Sequence, residues 1–599
     1  MLWTQPVDPM GNLALSAFVA ALPIFFLFWA LAFKRMKGHV AAVFTVAICI
    51  AVAILAYGMP VQLALLSTFY GVLIGLFPIC WIVVAALFLY NLSVKTGQFE
   101  VIKNSLSSLS DDRRMQALLI AFSFGAFIEG AAGFGTPVAI TAAMLMGLGF
   151  EPIYAAGVCL LANTAPVAFG AIGVPVIVGA TVGTVDLMTM SKMVGRTLPF
   201  LSVLIPMYLC ILMAGWKKGW EVWPAALVCG LSFAIVQFLS SNYLGPQLPD
   251  ILASLCSIVA MVIFLKIWHP KESWHFAHEK PSIGRTKLMY TGGQVLRAWA
   301  PFILLSIFVA AWGVKPIVAS LNDIYILKWH VPGLDKLILR NAKPMEAIFT
   351  FNLLSAGGTA LFLSFLFSIP VTGASIGTAI GVMGDTLNKL KWPVLTIALV
   401  LGLAFNLNYS GMAVTLGLAF AATGALFPFF SPFLGWLGVF MTGSDTSSNA
   451  LFAQLQHVTA NKLGIDPIVT VSANSTGGVC GKMISPQSLS VATAATNMVG
   501  KEGDIFAFTI KHSIILTAVI GVMTCLQAYV IKAWVPTYLK AAVAAIPAAA
   551  KAAATAVPAS DGLMYLLGTF VIALLLTIVS VAGGKKIIAQ EGADNMHFH

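Results

Sequence analysis

The stretch AFIEGAAGFGTP, residues 126–137, decides the fold: Glu129 stands in an apolar run and is followed by Gly130, Gly133, Gly135 and Pro137. Inside a helix Gly costs roughly 1 kcal/mol against Ala and Pro about 3, so the chain must turn or unwind here. It then turns at GFEPIY (149–154) and reaches LLANTAPVAFG (160–170). A second set of segments carries matching landmarks: AFNLNYSGMAV (404–414), FPFFSPF (427–433) and MTGSDTSSNA (441–450). Glu129, Pro152 and Asn163 in the first set correspond to Asn408, Pro432 and Asp445 in the second. A duplicated unit with interrupted helices at hydrocarbon depth reads as the core of a transporter.

Composition sets the environment. Of 599 residues, 59% are hydrophobic and 9% charged, and the mean hydropathy is +0.94, whereas soluble domains carry about 25% charge. Apolar runs long enough to span about 30 Å of hydrocarbon recur from Leu13 to Phe33 onward. With the two broken units they predict an all-α polytopic membrane protein of about 12–16 membrane segments. Backbone polar groups in lipid must be paired internally, and no ten-residue alternation of a barrel is present, so a helical bundle follows. The expected organisation is a transmembrane domain over 1–535, with repeat 1 at about 60–215 and repeat 2 at about 345–500, related as inverted repeats with re-entrant hairpins. An Ala-rich linker (536–559) and an additional membrane helix (560–582) follow.

The first apolar run lacks a basic leader and a cleavage site, and reads as the first span rather than a signal peptide. Lys34, Arg35 and Lys37 follow it and Lys95, Lys103, Arg113 and Arg114 follow the third span, while the 57–63 link has no basic residue. The positive-inside bias then places the N-terminus in the periplasm. The net charge of +11 is mostly topology and requires no nucleic-acid partner. One loop resists: 321–345, with Lys328, Lys336, Arg340 and Lys343, counts as external against the bias. That points to a misjudged crossing between 290 and 370.

The eight cysteines form no C-x-x-C pair and have no histidine at ligand spacing, so they read as small buried hydrophobes. No metal site, cofactor or enzymatic nucleophile with its base is expected, and the oligomeric state is not encoded in any recognisable signal.

The broken units define a candidate site. Helix ends freed at such tips carry partial positive charge and suit an anion. Asn163, Thr164, Asn408, Ser444, Thr446, Ser448 and Asn449 add donors at the same depth, describing a pocket for a small carboxylate bearing a hydroxyl. Glycines and hydroxyls also let ordinary membrane helices approach closely, but a charge at the membrane centre costs at least about 2.5 kcal/mol on insertion scales. Glu129 and Asp445 are therefore the proton-coupling candidates. Lys482, inside the run ANSTGGVCGKMISPQS (473–488), either pairs with Asp445, faces the substrate carboxylate, or snorkels to an interface.

FIEGAAGFGTPVAIT, GLGFEPIYAAG, LLANTAPVAFGAIGVP, FFSPFLGWLGVFMTGSDTSSNALF and ANSTGGVCGKMISPQS, with SSNYLGPQLPDI (240–251) between them, resemble signature blocks of the bacterial lactate and glycolate permease family. The likeness runs from about Trp3 to Val535. It implies proton-coupled uptake of L-lactate, D-lactate and glycolate across the inner membrane, with the lipid bilayer, protons and a small monocarboxylate as partners. More distantly the blocks resemble ion transporters whose hairpins end in Ser-Asn-Thr tips, which here fall on Ala162-Asn163-Thr164 and Ser444-Asp445-Thr446. A sodium-coupled carboxylate or amino-acid symporter is the alternative among carriers, and a passive anion channel the alternative outside them.

Overall fold

The computed structural model describes residues 2–537 except 35, 108, 134, 277–289 and 341, together with 568–569, 571–572 and 575–577. The Ala-rich linker and the final helix assigned to 560–582 fall almost wholly outside the described residues. Among those described, ten helices are long and apolar enough to cross a membrane, or eleven if the bent pair Pro152–Ala162 and Val167–Val182 is one span. Two shorter apolar helices, Thr136–Gly147 and Gly357–Thr372, accompany them. The chain is a multi-pass helical membrane protein.

Two small sheets cap one end: β1 (Trp3–Thr4), β2 (Leu327–His330), β3 (Ile338–Arg340), β4 (Lys343–Pro344) and β5 (Ile348–Phe351). β1 pairs in parallel with β3, Trp3 opposite Ile338, and β3 with β4 in antiparallel fashion. β2 and β5 form a separate antiparallel pair. The basic loop 321–345 therefore shares a face with the N-terminus, and the crossing suspected between 290 and 370 was counted correctly. Its most buried cation, Arg340, is held there by the Gln5 side-chain oxygen at 3.2 Å and the Asn408 carbonyl at 2.9 Å.

Nine helices build the core. α1 (Gly125–Ala131) and α2 (Thr136–Gly147) form hairpin 1, and α3 (Pro152–Ala162) and α4 (Gly170–Val182) the bent span after it, which turns by 63°. α5 (Pro249–Ile267) packs on α1. α6 (Phe427–Thr442) and α7 (Asp445–Leu463) form hairpin 2, followed by the broken pair α8 (Pro467–Lys482) and α9 (Pro486–Ala495). Each set is a hairpin and then an interrupted span. The segment 404–414 is broken too, at Gly411 with φ +95°, but against the cap: Gln5 Nε2 donates to the carbonyls of Asn408 and Tyr409 at 2.9 and 2.7 Å.

The breaks have local causes. At the first tip Gly133 and Gly135 take φ of +59° and +81°, a left-handed conformation that side-chain-bearing residues avoid. At the second, Gly443 adopts φ +72° and Ser444 caps the new helix, its hydroxyl accepting from the Ser447 amide. Ser485 caps α9 in the same way ahead of Pro486, the position where a missing N–H costs nothing.

The hairpins are anchored at opposite ends of the long helix Leu187–Trp220. Near its C-terminus the Lys218 carbonyl accepts from Arg114 Nη1 at 2.6 Å, at the base of hairpin 1. Just before its N-terminus, Thr184 meets Gln454 of hairpin 2 at 3.5 Å. The base of hairpin 1 is further fixed by Arg114, which is 1% exposed. It bonds the Asp112 carboxylate at 2.6 and 3.1 Å and the Glu272 carbonyl at 3.0 Å. Removing one partner of a buried pair leaves an uncompensated charge at a cost of about 3–5 kcal/mol. Arg114→Ala should therefore lower Tm of the detergent-solubilised protein by several degrees, whereas Lys218→Ala, whose side chain pairs only with exposed carboxylates, should leave it within about 1 °C. Equal melting of the two variants would remove Arg114 from this role.

Candidate functional site

The two hairpin tips and the break after α8 converge on one cavity of about 740 Å³. Glu129 from the end of α1, Ser444, Asp445 and Thr446 from the start of α7 and Lys482 from the end of α8 line its inner wall. Toward the face opposite the β cap it is bounded by His39, Trp392 and Glu502, His39 stacking on Trp392 with ring centroids 4.3 Å apart.

At its inner end Lys482 Nζ lies 2.9 Å from Glu129 Oε1. The two residues are 7% and 2% exposed, so the pair is buried and net neutral. Asn163, at the bend between α3 and α4, donates from Nδ2 to the other Glu129 oxygen at 3.1 Å. Asp445 is held differently. Ser475 Oγ donates to its Oδ2 at 2.6 Å and Asn449 Nδ2 to the same oxygen at 3.4 Å. Asn474 in turn donates to Asn449 Oδ1 at 3.0 Å. Asn449 Nδ2 also reaches the Pro175 carbonyl on α4 at 3.1 Å, tying hairpin 2 to the bent span on the cap side of the cavity.

Glycines make this geometry possible at two points. A Cβ on Gly170 would sit 2.6 Å from Glu129 Oε1, and one on Gly478 would overlap Asp445 Oδ1. Beside the first tip, Ala171 and Ile172 take φ of +46° and +59°, a left-handed turn costing of order 1–3 kcal/mol per residue. Such strain persists only where the surroundings impose it. Here the turn brings Ala171 against Gly133 of hairpin 1 and into the cavity wall.

The sequence-derived candidates divide into three groups. Glu129, Ser444, Asp445, Thr446 and Lys482 are brought together on the cavity wall. Asn163 and Asn449 stand behind the carboxylates as donors, with Thr164 buried beside them. Asn408 is elsewhere, its side-chain oxygen and carbonyl both engaged by Arg340 at the cap, and Ser448 is turned away to the Gly435 carbonyl at 2.9 Å. Lys482 takes Glu129 rather than Asp445 as its partner. Ser475 and Asn474 escaped the sequence reading although they lie in the quoted run ANSTGGVCGKMISPQS. Their signal was present: in a helix Ser475 and Lys482 are seven residues apart, two turns along one face.

Three buried polar atoms at this site have no hydrogen-bond partner within the protein: Asn163 Oδ1, Thr164 Oγ1 and Asp445 Oδ1. Buried polar groups are ordinarily satisfied, so a site with a neutral ion pair, a second carboxylate and unspent polar atoms around a cavity is built to take a small polar guest. No group of three or more metal-ligating side chains occurs among the described residues.

Comparison with known proteins shows the family. The chain is 52% identical to the glycolate permease GlcA of Escherichia coli strain K12 over 88% of this chain and 98% of that one. It is 50% identical to the L-lactate permease of Bacillus subtilis strain 168, over 90% and 100% of the two chains. Among solved structures, MtrF of Neisseria gonorrhoeae aligns over 77% of this chain and 83% of its own, with a TM-score of 0.42 and 12% identity. The family described as L-lactate permease matches residues 16–531, and the chain belongs to that family of transporters.

Proposed function

We propose that the protein imports small 2-hydroxy monocarboxylates, L-lactate, D-lactate and glycolate, together with protons across the bacterial inner membrane. The Glu129–Lys482 pair carries this reading. A carboxylate guest brings one negative charge to a buried site that is neutral before it arrives. The charge is tolerated if the guest takes Lys482 as its counter-ion, and Glu129 can release Lys482 only by accepting a proton, since a bare buried carboxylate is penalised by several kcal/mol. Guest and proton thus enter together or not at all. The names of the relatives support the substrate class, and the free backbone N–H groups at the start of α7, 19 residues long, offer the guest carboxylate a second favourable contact. Ser444 and Thr446 are placed to meet its 2-hydroxyl.

Hairpin 1 is anchored on the face bearing Lys218 and hairpin 2 on the face bearing the β cap, which supports an inverted arrangement of the two broken units. If the N-terminus is periplasmic, as the basic residues indicate, the cavity opens to the cytoplasm and the tie between Asn449 and Pro175 closes the periplasmic side. Transport then consists of opening that tie while the cytoplasmic mouth closes. Asp445, with its own donors, remains the second proton-binding candidate.

Two measurements test the reading. In proteoliposomes, Glu129→Gln should abolish lactate accumulation driven by a pH gradient while sparing lactate–lactate exchange, and Lys482→Met should raise the half-saturating lactate concentration about 10- to 100-fold, the worth of a charge-assisted contact. Unchanged accumulation by Glu129→Gln would refute proton coupling through this residue, and accumulation that follows sodium when choline replaces it would refute protons altogether. Competition against labelled lactate should rank glycolate well above acetate and pyruvate, by roughly tenfold for one lost hydrogen bond. Equal competition by acetate would remove the hydroxyl contact.

A further inference from the structure

The block SSNYLGPQLPDI (240–251) plays no part in the cavity, yet it wraps the two elements that form it. A Cβ on Gly173, in the left-handed turn of α4, would run into the Pro246 carbonyl, and one on Gly130 would lie 2.7 Å from Asp250 Cβ. Gly130 is the chain neighbour of Glu129. Asp250, in the first turn of α5, is 1% exposed, and neither of its carboxyl oxygens has a hydrogen-bond partner.

Gln237 approaches Asp250 from the helix Trp223–Tyr243, but its amide nitrogen donates to the Ala165 carbonyl at 3.2 Å and its oxygen accepts from Ser202 at 2.8 Å. Ser123 and Cys229, on the other elements packed against α5, are engaged with Ser257 two turns away. The charged groups in electrostatic reach are Glu129 and Lys482, and they already neutralise each other. A carboxylate in that setting would have no counter-ion of its own and only the second amide hydrogen of Gln237 within reach, a state that costs several kcal/mol and that proteins avoid by holding the proton. A carboxylic acid fits: its hydroxyl needs only an acceptor.

We propose that Asp250 is a second proton-binding residue of the transport cycle, which holds the coupled proton before Glu129 receives it. When a guest carboxylate draws Lys482 away, the O–H bond at Asp250 breaks and one forms at a Glu129 oxygen. Asp250 then regains a proton from water on the side from which the next guest comes. The assignment rests on the coupled-transport reading above and gives the block 240–251 a role at the junction of hairpin 1 and the bent span. Asp250 is a relay and touches no substrate.

The test separates the two claims. In proteoliposomes a one-unit pH gradient supports about tenfold accumulation of lactate for each coupled proton. Asp250→Asn, nearly isosteric with the protonated acid, should retain lactate–lactate exchange within about twofold while its pH-driven accumulation falls from about tenfold toward unity, and Asp250→Glu should restore part of it. If the unsubstituted protein fails to accumulate lactate under the gradient, the coupled-transport reading falls. If it accumulates and Asp250→Asn matches it, only the relay is overturned. Should Asp250→Asn not assemble, infrared spectra of the Asp445→Asn protein with isotopically labelled aspartate decide. A protonated aspartate band that persists at mildly alkaline pH and changes on adding lactate supports the relay, and its absence or indifference to lactate overturns it.

Discussion

The contact between Lys482 and Glu129 at 2.9 Å is the constraint to which the rest of the core answers. A lone ammonium or carboxylate at this depth is costly on any scale, so each residue needs the other, and each sits at the end of a helix that stops in mid-bundle. The breaks that follow leave both side chains on the wall of one cavity. Asn163, at the bend of a third element, completes the shell of Glu129, so one carboxylate fixes the relative position of hairpin 1, the bent span and α8.

The glycines are the other half of that constraint. Gly170 lies under Glu129 and Gly478 under Asp445, so each acid rests directly on the backbone of a neighbouring helix. Such close approach is what small residues provide between membrane helices, but here it also denies water a place between helix and carboxylate. The donors that remain are few and fixed: Asn163 for Glu129, Ser475 and Asn449 for Asp445. A site of this kind responds to a change of charge by exchanging partners among these few groups.

The sequence disclosed the class of molecule and most of the site, and the reasons are physical. Hydrocarbon demands long apolar helices, which are unmistakable, and it penalises charges so strongly that Glu129, Asp445 and Lys482 stood out as residues needing a reason. What it did not disclose was pairing across the fold. The second broken unit was matched to 404–414 because Asn408 imitates a site residue in spacing, whereas its partner Arg340 lies 68 residues away in a β cap that hydropathy does not register. Nor does hydropathy mark α7 and α8 as membrane helices, because they are so polar, through Asp445, Asn449, Gln454, Gln456, Asn474 and Ser475. Asp250 passed unnoticed because an acid after a proline at the start of a helix looks like an ordinary interfacial residue, and only its burial against Gly130 contradicts that.

Counting charge across the core gives the system its direction. Three carboxyl groups, Glu129, Asp445 and Asp250, are buried in the core, where Lys482 is the one buried ammonium among the described residues. Only one of the three can be ionised with a full counter-ion, and Glu129 has it. Asp445 has neutral donors for one oxygen alone, and Asp250 has none. The core thus has one basic place among three acids, and on the coupled-transport proposal an anion that claims it leaves Glu129 to take up a proton. On that proposal an arrangement with a second lysine would bind the anion without a proton, and one lacking Lys482 would bind it more weakly. The proposed coupling of anion to proton rests on this grouping of three buried acids around one ammonium, independently of which hydroxyl or amide touches the guest.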